Sequence, residues 1–189
     1  MRVLAGTLKG KRLVTPRGST TRPTADQVRL ALLDTLTPYL PDARMLDLFA
    51  GAGGVGFEAL SRGAAQVTFV ERDARAVAAL RTNIETLGVG DQTRIERLDV
   101  RTALERLDRE SLRFEIAFLD PPYDQDLVGP TLERLGALAL VPPDGLVIAQ
   151  HLTKRAPAAA VGRLAAFRTR RFGETTLTFF RAGGYDSPS

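Results

Sequence analysis

Met45-Leu46-Asp47-Leu48-Phe49-Ala50-Gly51-Ala52-Gly53-Gly54-Val55-Gly56 decides the fold. An apolar run holding one acidic residue ends in glycines spaced Gly51-x-Gly53-x-x-Gly56, and Phe57-Glu58-Ala59-Leu60 then continues at helical spacing. That order reads as strand, tight turn and helix. Glycines at such a turn let the backbone bend sharply and let a ligand approach the N–H groups at the helix start, which favour a negative group. The stretch predicts a nucleotide-type cofactor cradle, with Phe49, Gly51, Gly53 and Gly56 around the ligand. Glu71 agrees with it, lying 20 residues after Gly51 at the end of the apolar run Val67-Thr68-Phe69-Val70. A second strand presents a carboxylate to a ribose diol at that point.

A nicotinamide dinucleotide and S-adenosylmethionine both contain such a ribose. Asp47 favours the second, because dinucleotide-binding strands tend to hold an apolar residue there, and a carboxylate can reach the amino group of a methionine moiety directly or through water. Asp99 ends the third expected strand, where it can accept from the adenine amine while Val100 offers its backbone N–H to the ring. Asp99 serves equally well as a plain helix N-cap.

From Met45 onward apolar runs alternate with helical patterns, which predicts a doubly wound α/β sheet. Strands are expected at Met45–Phe49, Gln66–Glu71, Thr93–Leu98, Phe114–Leu119, Gly145–Gln150, Ala165–Arg171 and Thr175–Phe180. Helices are expected between them, one from about Ala74 to Leu87 closed by Gly88. The last two strands flank Phe172-Gly173-Glu174, so at least one of them is antiparallel. Upstream, Arg2–Ala5 and Arg12–Val14 read as a short basic hairpin. Thr24 with Gln27 forms a capping box ahead of a helix bearing Val28, Leu32, Leu33 and Leu36. Residues 1–20 are therefore expected as an N-terminal β-hairpin extension, 21–181 as the main domain, and 182–189 as a tail too small and polar to pack.

Asp120-Pro121-Pro122-Tyr123 follows the fourth expected strand, on the edge where doubly wound sheets bind ligands. Proline removes N–H donors and stiffens the chain, so this loop offers carbonyl acceptors, to which Asp120 adds a carboxylate. Such a cluster suits an NH2 group. Two acceptors pulling on the N–H bonds of a base's exocyclic amine can turn its lone pair toward an incoming methyl, while Tyr123 stacks on the base. Asp120, Pro121 and Tyr123 are the catalytic candidates, with Asp120 also bordering the cofactor and Pro122 the substrate. The sulfonium of S-adenosylmethionine is already activated, so positioning is the main task, and S-adenosylhomocysteine is the expected product.

The formal charge of +4 is unevenly spread. Residues 1–30 hold seven Lys and Arg against Asp26 alone, residues 31–149 hold 12 against 19, and residues 150–189 hold seven against two. Basic ends around an acidic middle suggest a nucleic acid partner, with Lys9, Lys11, Arg12 and Arg17 placed for phosphate contacts. Cysteine is absent and His151 is the only histidine, which leaves no thiolate zinc site and no metal expectation. A lone histidine is more often structural, and no catalysis is assigned to it. No run approaches the roughly 20 apolar residues that span a bilayer. A cytoplasmic monomer with no membrane contact is expected.

Taken together, the basic hairpin, Arg22-Pro23-Thr24, Leu46-Asp47-Leu48-Phe49-Ala50-Gly51-Ala52-Gly53, Leu60-Ser61-Arg62-Gly63-Ala64, Glu71, Asp120-Pro121-Pro122-Tyr123 and Arg171-Phe172-Gly173-Glu174-Thr175 resemble the bacterial 16S ribosomal RNA guanine-N2 methyltransferases of the RsmD type. The resemblance covers residues 1–181. It implies a class I, Rossmann-like methyltransferase fold with a mostly parallel seven-stranded sheet and an antiparallel C-terminal strand. It also implies S-adenosylmethionine as donor, a guanine of small-subunit ribosomal RNA as acceptor within an assembled or assembling particle, and Arg22 and Thr24 beside the active site. Gln150 departs from it, since family members often carry an acidic residue there. Three rival readings share these motifs: an adenine-N6 methyltransferase acting on DNA or RNA, a NAD-dependent oxidoreductase, and an RNA-binding module without catalysis.

Overall fold

The computed structural model of the chain describes residues 1–18 and 23–184, without the side chains of Pro23 and Thr24. Two compact units divide it, Met1–Asp99 and Val100–Ser189.

In the first unit, α1 (Pro23–Leu36) buries Val28, Leu32, Leu33 and Leu36, the stripe expected from their spacing. The helix begins at Pro23, so Thr24 stands inside the first turn and not ahead of it as an N-cap. Proline suits that first position because its fixed φ is already helical and its missing N–H would have no helical acceptor. Strands β1 (Arg44–Leu48), β2 (Gln66–Val70) and β3 (Thr93–Glu96) are parallel in the order β3-β2-β1, with Asp47 level with Phe69. After their exposed first residues β1 and β2 are buried throughout, as parallel strands covered on both faces must be. Between them run α2 (Gly54–Ser61) and α3 (Ala74–Leu87). The Asp73 carboxylate caps α3 by accepting from the N–H groups of Arg75 and Ala76, and Gly88 ends it in the left-handed region.

The expected N-terminal hairpin forms only in part. Arg2 and Arg12 make an isolated bridge, with Val3 N–H donating to Lys11 O at 3.0 Å and Leu13 N–H to Met1 O at 2.9 Å. Paired strands do not develop because the next two donors go elsewhere. The N–H groups of Leu4 and Ala5 each donate to the Glu58 carboxylate at 2.8 Å, and that carboxylate is fully buried in α2. Ser61 donates to Ala5 O at 2.5 Å and accepts from Leu8 N–H at 2.9 Å. Further on, Asn83 of α3 accepts from Val14 N–H at 2.7 Å and donates back to Val14 O at 2.9 Å. The segment is thus held by buried polar side chains of two helices.

In the second unit, α4 (Val100–Arg109), β4 (Ile116–Leu119) and α5 (Val128–Ala137) lead to β5 (Leu146–Leu152), β6 (Ala160–Val161), β7 (Leu164–Phe172) and β8 (Thr175–Ala182). Strand order is β4-β5-β8-β7-β6; β4 and β5 are parallel, and every other pairing is antiparallel. The described residues hold eight strands where seven were expected. The extra one, β6, is a two-residue edge piece in an Ala/Pro-rich stretch that carries no alternating pattern. Ala182 also departs from expectation: it closes β8, is buried, and exchanges backbone bonds with Asp144 and Gly145 at 2.9 Å. Residues 185–189 of the expected tail lie outside the described residues.

Candidate active site

In the first unit, β1 delivers Asp47 into the turn. Its carboxylate is buried, and Oδ2 accepts the N–H of Gly56 at 3.0 Å, which sets a negative charge on the start of α2. Sequence reasoning assigned this group only to a ligand amine; here it fixes the helix to the strand. The turn that follows is left-handed at Phe49 (φ 60°), Gly51 (φ 57°) and Gly53 (φ 89°). Phenylalanine in that region costs on the order of 1–3 kcal/mol, the kind of strain that collects at ligand sites. The glycines divide the work. A Cβ on Gly53 would lie 2.4 Å from Phe57 Cε2 and one on Gly56 2.3 Å from Phe69 Cε1, so both are needed for helix packing. A Cβ on Gly51 would meet nothing within 4 Å, which leaves open space over the turn.

Glu71 borders that space. Oε2 accepts the N–H of Gly51 at 2.9 Å and Oε1 the N–H of Asp73 at 2.8 Å. An ionised carboxylate has about four acceptor sites, so two such bonds leave capacity for the two hydroxyls of a ribose diol. Asp99 is exposed just ahead of α4, and Val100 opens that helix, where the first N–H groups have no helical acceptor. Open space at Gly51, the remaining acceptor capacity of Glu71 and the start of α2 fit an adenosyl-type donor.

In the second unit, Asp120 follows β4 directly. Part of the residue remains exposed, yet burial around its carboxyl pushes the pKa from 3.8 up to about 7. A group so poised exchanges a proton near neutrality. Pro121 is buried and Pro122 exposed. Tyr123 is 37% exposed, so its ring does not fill a core gap. Its hydroxyl is held 3.3 Å from Thr175 Oγ1, and its carbonyl accepts from Arg155 Nη1 at 3.1 Å. The cavity beside the loop, lined by Pro121, Tyr123, Leu127, His151 and Arg155, has about 30 Å³.

His151 is buried, with Nδ1–H donating to Leu152 O at 2.8 Å and Nε2 2.7 Å from Thr178 Oγ1. Burial lowers its pKa, which leaves the ring neutral with Nε2 accepting the Thr178 hydroxyl proton. Its role here is to join β5 to β8. Lys9, Lys11, Arg12 and Arg17 are all exposed. Arg22 lies outside the described residues, as does the side chain of Thr24.

Sequence reasoning missed the groups that support these residues. Thr175 and Arg155 hold Tyr123 from far along the chain, and no short-range spacing announces either. Glu58 gave a weak signal, an acidic residue inside the apolar run Phe57-Glu58-Ala59-Leu60.

Comparison with known proteins bears on the family and the fold. A family model described as "Conserved hypothetical protein 95" matches residues 1–181. The protein named "Putative rRNA methyltransferase YlbH" of Bacillus subtilis is 34% identical over 184 residues, covering 97% of this chain and all of that one. "Ribosomal RNA small subunit methyltransferase D" of Haemophilus influenzae is 34% identical over 151 residues, 78% of this chain and 76% of that one. Among solved structures, "Putative methyltransferase yhhF" from Escherichia coli superposes with a TM-score of 0.83 at 29% identity, covering 98% of this chain and 99% of that one. With a class I methyltransferase fold along its length, the chain belongs to the Conserved hypothetical protein 95 family, the RsmD-type methyltransferases.

Proposed function

We propose that this enzyme transfers a methyl group from S-adenosylmethionine to the exocyclic N2 amine of a guanine in 16S ribosomal RNA, within an assembled or assembling small subunit. One observation carries the reading of the acceptor. A carboxyl with a pKa of about 7 is followed by two prolines and an exposed tyrosine, which makes an acceptor-rich loop with a stacking ring. Relatives named for ribosomal RNA methylation support the nucleic acid.

The donor supplies a methyl group already activated on a sulfonium. Glu71 binds the ribose diol, the turn from Phe49 to Gly56 receives the rest of the nucleoside, and Asp99 with Val100 borders the adenine. Asp47 stiffens the start of α2 and lies on the methionine side. Deprotonated Asp120 accepts an N–H of the base amine alongside the loop carbonyls and takes the proton released as the nitrogen becomes methylated. Pro121 and Pro122 keep competing N–H donors out of the loop, while Tyr123 stacks on the base. Lys9, Lys11, Arg12 and Arg17 contact RNA phosphates, with Arg22 and Thr24 near the reacting base; residues 1–20 extend a methyltransferase domain formed by 21–181.

Small subunits from a strain lacking this enzyme, methylated in vitro and digested to nucleosides, test the assignment. N2-methylguanosine in 16S RNA is the expected product. N6-methyladenosine removes the guanine assignment, and no product at all removes the activity.

A further inference from the structure

Strands β7 and β8 carry a basic, aromatic face that the site above does not use. We propose that this face is a second RNA-docking surface, leading single-stranded RNA toward the Asp120–Tyr123 loop; the inference rests on the RNA substrate proposed above. Residues paired across antiparallel strands point to the same side. Arg168 pairs with Phe179, Arg170 with Leu177 and Phe172 with Thr175, so these side chains share one face. At the bulge between Ala166 and Arg168, Phe167 lies against Phe179 with ring centroids 6.4 Å apart. The Arg181 guanidinium sits 5.1 Å over the Phe167 ring, and the Arg170 guanidinium 5.6 Å over the ring of Phe172.

Three features together point to RNA. Phe167 is 50% exposed, an open ring with a cation already on it. Neither Arg168 nor Arg181 is paired with a carboxylate among the described residues, so their charge is available to phosphate. The face also ends at the acceptor loop, because Thr175, the partner of Phe172, holds the Tyr123 hydroxyl at 3.3 Å. From Arg168 to Phe172 is about 13 Å at the usual rise per strand residue. Aromatic rings with stacked arginines take unstacked bases, and the remaining cations take the phosphates between them. Arginines alone could guard the outer edge of β7, which β6 covers only at Leu164 and Ala165. An edge guard needs charge and does not need a half-exposed phenylalanine.

The test uses the whole protein, small subunits lacking the modification, and a short unstructured RNA as probes. Arg168→Ala with Arg181→Ala lowers affinity for both and reduces the slope of log affinity against log salt by about 0.7 for each phosphate of single-stranded RNA that is no longer neutralised. Phe167→Ala lowers affinity about tenfold with the slope unchanged, as removal of one stacked base should. Donor affinity by calorimetry stays the same in each, and thermal unfolding confirms that each folds. Arg168→Lys recovers the slope. Unchanged affinity and slope in the double variant, with the unsubstituted protein binding normally, overturn this surface and leave the RNA substrate standing. No binding by the unsubstituted protein overturns the RNA reading and this surface with it.

Discussion

Glu71 Oε2 accepts the N–H of Gly51 at 2.9 Å, tying the end of β2 to the turn that follows β1. The bond holds the open space over Gly51 beside a carboxylate that still has acceptor sites free. Removing a hydrogen bond to a charged group costs about 1.5–3 kcal/mol. Glu71→Ala is therefore expected to weaken donor binding about 10- to 100-fold in calorimetry. Glu71→Gln, which can still accept from Gly51, should fall between the two.

Asp120 yields a prediction in two parts. Its carboxyl must be ionised to accept from the amine, so kcat/KM for methyl transfer should rise through pH 7 and level off above it. Asp120→Asn should remove that rise and lower the plateau by about 10²–10⁴-fold, the usual weight of a positioned acid-base group. Stability runs the other way. The folded pKa is raised from 3.8 to about 7, so this contribution is complete below pH 3.8 and is lost as pH climbs through 7. Thermal melts of the donor-free protein should show Asp120→Asn gaining on the unsubstituted protein between pH 5 and pH 8.

Much of this was legible in the sequence, because the informative features are local. The glycine spacing, the acid 20 residues on, and alternating apolar and helical patterns place β1, β2 and α3 to within a residue or two, while α2 begins at Gly54, three residues ahead of the pattern read from Phe57. The N-terminal segment was not legible as built. Two short basic runs with a glycine loop look like a hairpin until Glu58, more than 50 residues away, takes the N–H groups of Leu4 and Ala5. The bond from Asp47 to the helix was illegible for a similar reason, since nothing in the sequence reveals that Gly56 N–H comes back to its Oδ2 at 3.0 Å. Long-range polar pairing leaves no periodic trace.

Glu58 supplies a stability prediction. Its carboxylate accepts both segment N–H groups and also two bonds from Arg62 at 3.3 Å. Glu58→Ala leaves these donors to water or unpaired and should cost about 2–4 kcal/mol in denaturant unfolding. Amide exchange should accelerate at Leu4 and Ala5, with Gly51 unaffected.

Asp47 can be resolved into two roles. Asp47→Ala removes the acceptor at the start of α2 and should destabilise by about 1 kcal/mol. Asp47→Asn keeps an acceptor for Gly56 and should recover most of that stability. If Asp47 also bears on the donor's amine, donor affinity in Asp47→Asn stays low while the melting temperature returns. Affinity returning with stability assigns the residue to the scaffold alone.

The central claim is that the Asp120–Tyr123 loop acts on the acceptor and the cradle around Gly51 on the donor. The direct measurement is a single-turnover methyl transfer from radiolabelled donor to small subunits lacking the modification, with donor affinity taken on the same samples of unsubstituted and Asp120→Ala protein. The account predicts a rate at least about 100-fold lower in the variant, with donor affinity reduced far less than the rate. Full turnover by Asp120→Ala would contradict it.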